Sequence, residues 1–461
     1  MKVLLLSPPF GEGYMRNARC DYFAISDTQW YPIWLSYAGA LLEREGHKVE
    51  LIDAPAENLS KEDTLKRIGG FSPDLAVLYS STKSEEEDFQ FAGLIKERTG
   101  SKTAFVGPFV SIHPKEIASQ SKVDYVIKGE FDYPLLELAQ GKREEDIKNL
   151  YWKKNGIVNS NPTRPLLDSR QLDELPFVTD FYRRHLDIKR YHVPQELYPF
   201  VDLFTGRGCA WGHCTFCLWV HSFIPGQVYN LRSIGNVIEE IKFVKQNIKK
   251  AKEVFIQDDT LTSQRARELS NAILSEGIDM IWSCYARGNM DAKTLVLMKK
   301  AGCRTLHVGY ESASNKVLKN TKKGLTAERM TKFTKEAKKA GLRIHGDFLM
   351  GLPGETRESI KKTISWAKEL DPETAQFSIM NPYLGTPFYE ELVKQNALKD
   401  GEPDYKHLPS DELRVAARKA VREFYMSPRY LKRMIFHPRE YLFPNIPTMI
   451  KTAPYMLWKR W

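Results

Sequence analysis

Three cysteines crowd into nine residues of this chain: Cys209, Cys214 and Cys217, within Thr205-Gly206-Arg207-Gly208-Cys209-Ala210-Trp211-Gly212-His213-Cys214-Thr215-Phe216-Cys217. Thiols at that density, in a chain with six cysteines altogether, point to metal ligation rather than a disulfide scaffold. Three thiolates from one glycine-bearing loop suit an iron–sulfur cube whose fourth iron has no protein ligand and stays open to a small molecule. Structural zinc competes with that reading, because zinc takes four ligands and His213 offers a fourth. Joint ligation by the adjacent His213 and Cys214 would be strained, and no separate Cys-x-x-Cys pair exists to complete a zinc site. From the loop alone both readings stay open. Cys284 and Cys303 lie in or beside apolar strand-like segments and read as inert buried thiols. Cys20, in a polar N-terminal loop, receives no role.

The loop must be carried by a scaffold, and the chain after residue 200 supplies an alternation of strands and helices. Strands are expected at Val201–Thr205, Glu253–Ile256, Met280–Tyr285, Thr305–Gly309, Arg343–Met350 and Ala375–Met380. The helices between them show apolar stripes, as in Ile234, Val237, Ile238, Ile241 and Val244. Six such units suggest an open (β/α)6 barrel over residues 201–390, shorter than the eight-unit form. Chemistry-bearing residues collect where these strands end: Gln257-Asp258-Asp259-Thr260, Arg287, Glu311, and Gly351-Leu352-Pro353-Gly354-Glu355. Each has a plain alternative. Asp258-Asp259 could cap a helix, Arg287 could form a surface ion pair, Glu311 could be a solvated carboxylate, and Gly351–Glu355 could be only a turn.

A second alternation fills residues 1–140. Strands are expected at Lys2–Leu6, Val49–Ile52, Leu75–Tyr79, Thr103–Val106 and Tyr125–Ile127, with helical segments such as Tyr31–Glu45 and Glu85–Arg98 between them. This pattern calls for a doubly wound, Rossmann-like parallel sheet. Ligands of such sheets sit beyond the C-terminal strand ends. Pro8, Pro9, Ser80, Ser81, Gly107, Pro108, Gly129 and Glu130 would line that edge. Spacing alone allows them to be ordinary turns. Residues 141–200 read as a connecting linker, with Asn159–Pro165 lacking regular structure.

Bulk properties add bounds. The chain has 461 residues, enough for two or three domains. No segment approaches the ~20 apolar residues of a membrane span, and Ser7-Pro8-Pro9 interrupts the opening apolar run, so a cytoplasmic protein is expected. The formal charge is +10. Part of the excess lies in the tail, residues 391–461, expected as a helical extension. From Tyr425 onward, Arg429, Lys432, Arg433, Arg439, Lys451, Lys459 and Arg460 stand against one acid, Glu440, and interleave with Tyr430, Phe436, Tyr441, Phe443, Tyr455, Trp458 and Trp461. A solvated basic face is the plain reading, and contact with an anionic membrane surface the sharper one. No nucleic-acid recognition module is visible, so no nucleic acid is expected.

The cysteine loop resembles the radical S-adenosylmethionine (SAM) signature, usually Cys-x-x-x-Cys-x-aromatic-Cys. Thr215-Phe216-Cys217 matches its second half. The first spacing departs from it, with four residues between Cys209 and Cys214, an extra residue that Gly212 can absorb. The N-terminal edge resembles the cobalamin-binding domain that precedes many radical SAM domains. The Asp-x-His-x-x-Gly motif of other cobalamin proteins is absent, and His113 does not match it, so a bound corrinoid would lack a histidine below the cobalt.

The resemblance implies a [4Fe–4S] cluster on Cys209, Cys214 and Cys217. It implies SAM contacts by Phe216 against adenine, Asp258 and Asp259 at the ammonium, Arg287 at the carboxylate, Glu311, and Gly351 with Glu355 near the adenine. It implies cobalamin at the N-terminal sheet edge. The open iron would chelate SAM, and reduction by a flavodoxin or ferredoxin would release a 5′-deoxyadenosyl radical that attacks an unactivated carbon. Methyl transfer, ring formation and rearrangement are all chemistries of this class B methyltransferase-like group. The layout is similar to the anaerobic tetrapyrrole cyclase and hopanoid-associated branches, which implies a lipid or tetrapyrrole substrate. Two alternatives remain at this point: a radical SAM enzyme with a non-cobalamin N-terminal domain, and a non-enzymatic corrinoid or zinc sensor.

Overall fold

The structure is a computed structural model that describes residues 1–16, 21–24 and 28–436. The chain divides into two compact units. The first comprises Met1–Val193, Tyr198–Gly208 and Leu218–Ala251, and the second Pro194–Leu197, Cys209–Cys217 and the chain from Lys252 onward.

In the first unit, seven strands form one sheet: β1 (Lys2–Ser7), β2 (Lys48–Asp53), β3 (Leu75–Tyr79), β4 (Lys102–Val106), β5 (Tyr125–Ile127), β6 (Leu150–Lys154) and β7 (Ile157–Ser160). Their order is β2-β1-β3-β4-β5-β6-β7, parallel through β5 and antiparallel thereafter. Alternation along β1 explains the double winding. Leu4 and Leu6 join Ile68, Phe91, Ile95 and Ile117 from the helices Lys61–Phe71, Glu85–Thr99 and Pro114–Ser119 in one buried layer. Leu5 faces the other side, close under Gly39 of α1 (Ile33–Arg44). Each such fully buried side chain contributes roughly 1.5–3 kcal/mol. The expected helix Tyr31–Glu45 starts two residues late because Pro32 takes the N-cap position.

The region read as a linker is more structured than expected. Its residues Leu150–Ser160 form a hairpin, β6 and β7, that extends the sheet. Asn155 and Gly156 both have left-handed φ, 53° and 78°, which a two-residue type I′ turn requires. Helices Ser169–Glu174 and Val178–His185 follow, the first opened by a capping box on Asp168.

All six strands expected after residue 200 form. They are β8 (Phe200–Leu203), which belongs to the first unit, and β9 (Glu253–Ile256), β10 (Trp282–Ala286), β11 (Cys303–Glu311), β12 (Arg343–Met350) and β13 (Thr374–Ile379) in the second. From β9 to β13 they pair in chain order, all parallel. Polar caps open the helices after them: Thr262, Asp291, Thr326 and Thr356 each accept a backbone N–H three residues on. A helix at Ser410–Tyr425 packs on β13, where the Tyr425 hydroxyl donates to the Ala375 carbonyl at 2.8 Å. A shorter helix, Pro428–Phe436, follows. The tail residues Arg439, Glu440, Tyr441, Phe443, Lys451, Tyr455, Trp458, Lys459, Arg460 and Trp461 lie outside the described residues, as does Cys20. Among the described residues no helix is long and apolar enough to cross a membrane.

Candidate active site

The cysteine loop belongs to the second unit, and its three thiols are partly exposed and take part in no disulfide. Gly212 takes a φ of 66°, in the region that Gly tolerates best. The backbone of Thr215 ties the loop on both sides, donating to Thr321 O and accepting from Phe388 N, each at 3.1 Å. Phe216 is buried. His213 is exposed, and its ring meets Trp211 edge-on with centroids 5.0 Å apart.

Two cations stand near the thiols. Burial pushes the Cys214 thiol above its ordinary pKa, and the charges of Lys323 and Arg287 oppose that rise. Burial works against the Lys323 ammonium, but the charges of Glu311 and Cys214 and the hydrogen bond to Glu311 together raise its pKa. Lys323 Nζ donates to Glu311 Oε1 at 2.7 Å, with both side chains buried. Glu311 reaches this partner through an irregular strand end. The register of β11 on β12 shifts between Gly309 and Glu311, and Glu311 itself has a φ of 61°. Bulges of this kind re-aim side chains beside active sites. Arg287 Nη2 donates to the Lys323 carbonyl at 2.6 Å. Cys209, Cys214, Arg287 and Glu311 therefore gather as the strand ends suggested. Lys323 joins them from a loop that the sequence gave no reason to single out. Asp258 is buried and Asp259 partly exposed, in the turn after β9.

Glu355 works from inside its own turn. Its Oε2 accepts the N–H of Gly351 at 2.6 Å and of Leu352 at 3.3 Å, while Oε1 is buried without a partner. Burial pushes this carboxyl up to about 8 from 4.5, against those two N–H groups. The folded protein thus favours the protonated acid. Its contribution to stability is full below pH 4.5 and is lost as pH rises toward 8. Glu355→Gln is expected to flatten the fall of Tm over that interval. A residual slope should remain from Glu253, which burial and the neighbouring Glu196 also push up to about 8. An unchanged slope in apo-protein melts would contradict this assignment.

In the first unit, Pro8, Pro9, Ser80, Ser81, Gly107, Pro108, Gly129 and Glu130 all fall at the C-terminal ends of β1, β3, β4 and β5 and are buried. The strand order reverses between β1 and β3, the position where doubly wound sheets take their ligands. A polar network absent from the sequence expectation occupies that point. Arg16 Nη1 donates to the Tyr79 carbonyl at 3.1 Å and to both Asp88 oxygens at 3.0 and 3.1 Å. Its Nε and Nη2 are buried and unpartnered. Ser80 donates to Asp88 at 2.8 Å, and the Tyr14 hydroxyl lies 2.6 Å from that of Ser81. Glu130 is already engaged: Oε1 accepts from Arg207 at 3.0 Å and Oε2 from the Leu167 N–H at 2.8 Å. Arg207 also grips Asp132 and stacks 4.4 Å from the Trp34 ring centroid. His113 sits at the start of the short helix Pro114–Ser119, 4.0 Å from Glu116.

Residues 203–367 match the radical SAM superfamily, and residues 21–139 match the B12-binding domain. The chain is 32% identical to the uncharacterized methyltransferase PH0819 of Pyrococcus horikoshii, over 95% of each chain. It is 27% identical to the cytidylyl-2-hydroxyethylphosphonate methyltransferase of Streptomyces wedmorensis, over 88% of this chain and 84% of that one. Its fold is similar to that of the radical SAM methyltransferase TsrM from Kitasatospora setae, with a TM-score of 0.68 and 19% identity, over 87% of this chain and 76% of that one.

Proposed function

As a member of the radical SAM superfamily that also carries a B12-binding domain, the chain is an enzyme of methyltransferase or cyclase type using a [4Fe–4S] cluster, SAM and cobalamin, and we propose that it transfers a methyl group to an unactivated carbon of a small organic substrate. The gathering of Cys209 and Cys214 with Arg287, Glu311 and Lys323 at the strand ends carries this reading. When bound, the cluster and SAM supply a 5′-deoxyadenosyl radical and the corrinoid supplies a methyl group.

The protein's own residues bind and orient. Cys209, Cys214 and Cys217 hold the cluster. Ligands to a cube serve three different irons and need not converge on one point, unlike ligands to zinc. Arg287 takes the SAM carboxylate through its fork of donors, Asp258 and Asp259 its ammonium, and Phe216 its adenine face. Glu311 accepts from SAM while Lys323 fixes its rotamer. Glu355 shapes the Gly351 turn beside the adenine. The small and proline residues Pro8, Pro9, Ser80, Ser81, Gly107, Pro108 and Gly129 admit the corrinoid to the first sheet's edge, with Glu130 bracing the last of these turns. The orphaned Nε and Nη2 of Arg16 fit a ligand rich in acceptor oxygens there.

Methyl transfer is favoured over ring closure by two relatives bearing methyltransferase names. The substrate is a lipid or tetrapyrrole, and a flavodoxin or ferredoxin delivers the electron. Deleting the gene and comparing lipid and pigment extracts tests this. A compound one methylene lighter than its wild-type counterpart is expected, and extracts without any such change would count against the reading.

The enzyme is cytoplasmic and touches an anionic membrane surface through its tail. Exposed Leu431, Ile435 and Phe436 beside Arg429 and Lys432 support this contact. Co-sedimentation with anionic vesicles should weaken with salt and be lost in Ile435→Asp/Phe436→Asp. Equal pelleting of that variant would rule the contact out.

A further inference from the structure

The cysteine loop is one residue longer than its signature, and Trp211 stands within the extra length. The strap Thr321–Gly324 meets this loop and its neighbours at four successive residues. Thr321 O holds the Thr215 N–H at 3.1 Å. Lys322 O accepts the indole Nε1–H of Trp211 at 2.8 Å. Lys323 O takes Arg287 Nη2 at 2.6 Å, and its ammonium holds Glu311. Gly324 lies flat under the Trp211 ring: a Cβ there would fall against the six-membered ring, and its φ is 71°. The Arg287 guanidinium carbon then lies 4.5 Å from the Trp211 ring centroid.

We propose that Trp211 is the positioning residue of the lengthened loop. Its indole pins the loop to the strap, and its ring face fixes the Arg287 guanidinium in the orientation that receives the SAM carboxylate. The proposal rests on the assignment of Arg287 to SAM made above. A free arginine has several rotors and would lose that freedom on binding. A ring face on one side and a carbonyl at one nitrogen remove the freedom beforehand, and attraction between cation and ring adds to the hold. Aromatic area and an N–H donor at one position explain why the inserted stretch carries tryptophan.

The test uses anaerobically reconstituted holoenzyme. Iron content, and the electron paramagnetic resonance signal of the reduced cluster titrated with SAM, are measured for wild type, Trp211→Ala and Trp211→Phe. Trp211→Ala is expected to keep its iron while the SAM concentration that perturbs the signal rises about tenfold. Trp211→Phe, which keeps a ring face but no N–H, should recover most of that affinity. Wild-type SAM affinity in Trp211→Ala would overturn the proposal. So would equal loss of iron in both variants, which would mean the residue only holds the loop together. If alanine alone costs the cluster, near-wild-type SAM affinity in the phenylalanine variant supports the proposal and weak affinity overturns it. A wild-type cluster whose signal ignores SAM would instead remove the assignment of Arg287, and the proposal with it.

Discussion

Alanine at Cys209, Cys214 or Cys217, one position at a time, is expected to strip the reconstituted protein of its iron–sulfur chromophore and to reduce SAM cleavage by ~1000-fold or more, because the cofactor carries the chemistry and the chain offers no replacement thiol in the loop. Cys284 and Cys303 are buried in strands β10 and β11 and cannot take over. The same substitution at either of them should leave the chromophore in place. The contrast separates ligand loss from general damage. A brown, SAM-cleaving Cys214→Ala protein would refute the ligand assignment.

Arg207→Met is expected to destabilise the first unit by roughly 3–5 kcal/mol. Arg207 is buried between Glu130 and Asp132, at 3.0 and 2.7 Å, and lies over the rings of Trp34 and Tyr37. Burial pushes the Glu130 carboxyl up, and Arg207 is the main force opposing that rise. Without the guanidinium, two carboxylates share a dry site with no counter-charge. One must take up a proton or the packing must open. A Tm lowered by on the order of 10 °C at neutral pH should result, partly restored by adding Glu130→Gln and Asp132→Asn. A melt within a degree or two of wild type would show that this triad matters little.

These residues also show where the sequence was readable. The cysteine loop and the strand-end residues could be found because strands and helices leave a clear period and because chemistry in such folds collects where strands end. The partners could not. Arg207 meets Glu130 and Asp132 across 77 and 75 residues of chain, and Trp211 meets Lys322 across 111. Nothing local marks such pairs, since they exist only after the strands have been ordered in space. Arg16 likewise looks like one more loop base until β3 brings the Tyr79 carbonyl to it and the helix Glu85–Thr99 brings Asp88. The hairpin at Leu150–Ser160 is a different kind of miss. Asn155-Gly156 is a strong short-range turn signal, but the charge of the surrounding residues obscured the strands, which lie at the end of the sheet and are only partly buried. Glu355 shows the limit of motif reading: the residue sits where the pattern placed it, yet its buried carboxyl group closes the turn.

The central claim is that this chain splits SAM reductively at a cluster on three thiolates and does so with a corrinoid bound. Wild-type protein, loaded anaerobically with iron, sulfide and hydroxocobalamin and then reduced, should hold about four irons and one corrinoid per chain and release 5′-deoxyadenosine from SAM. Protein that takes up zinc in place of iron and leaves SAM intact would contradict it.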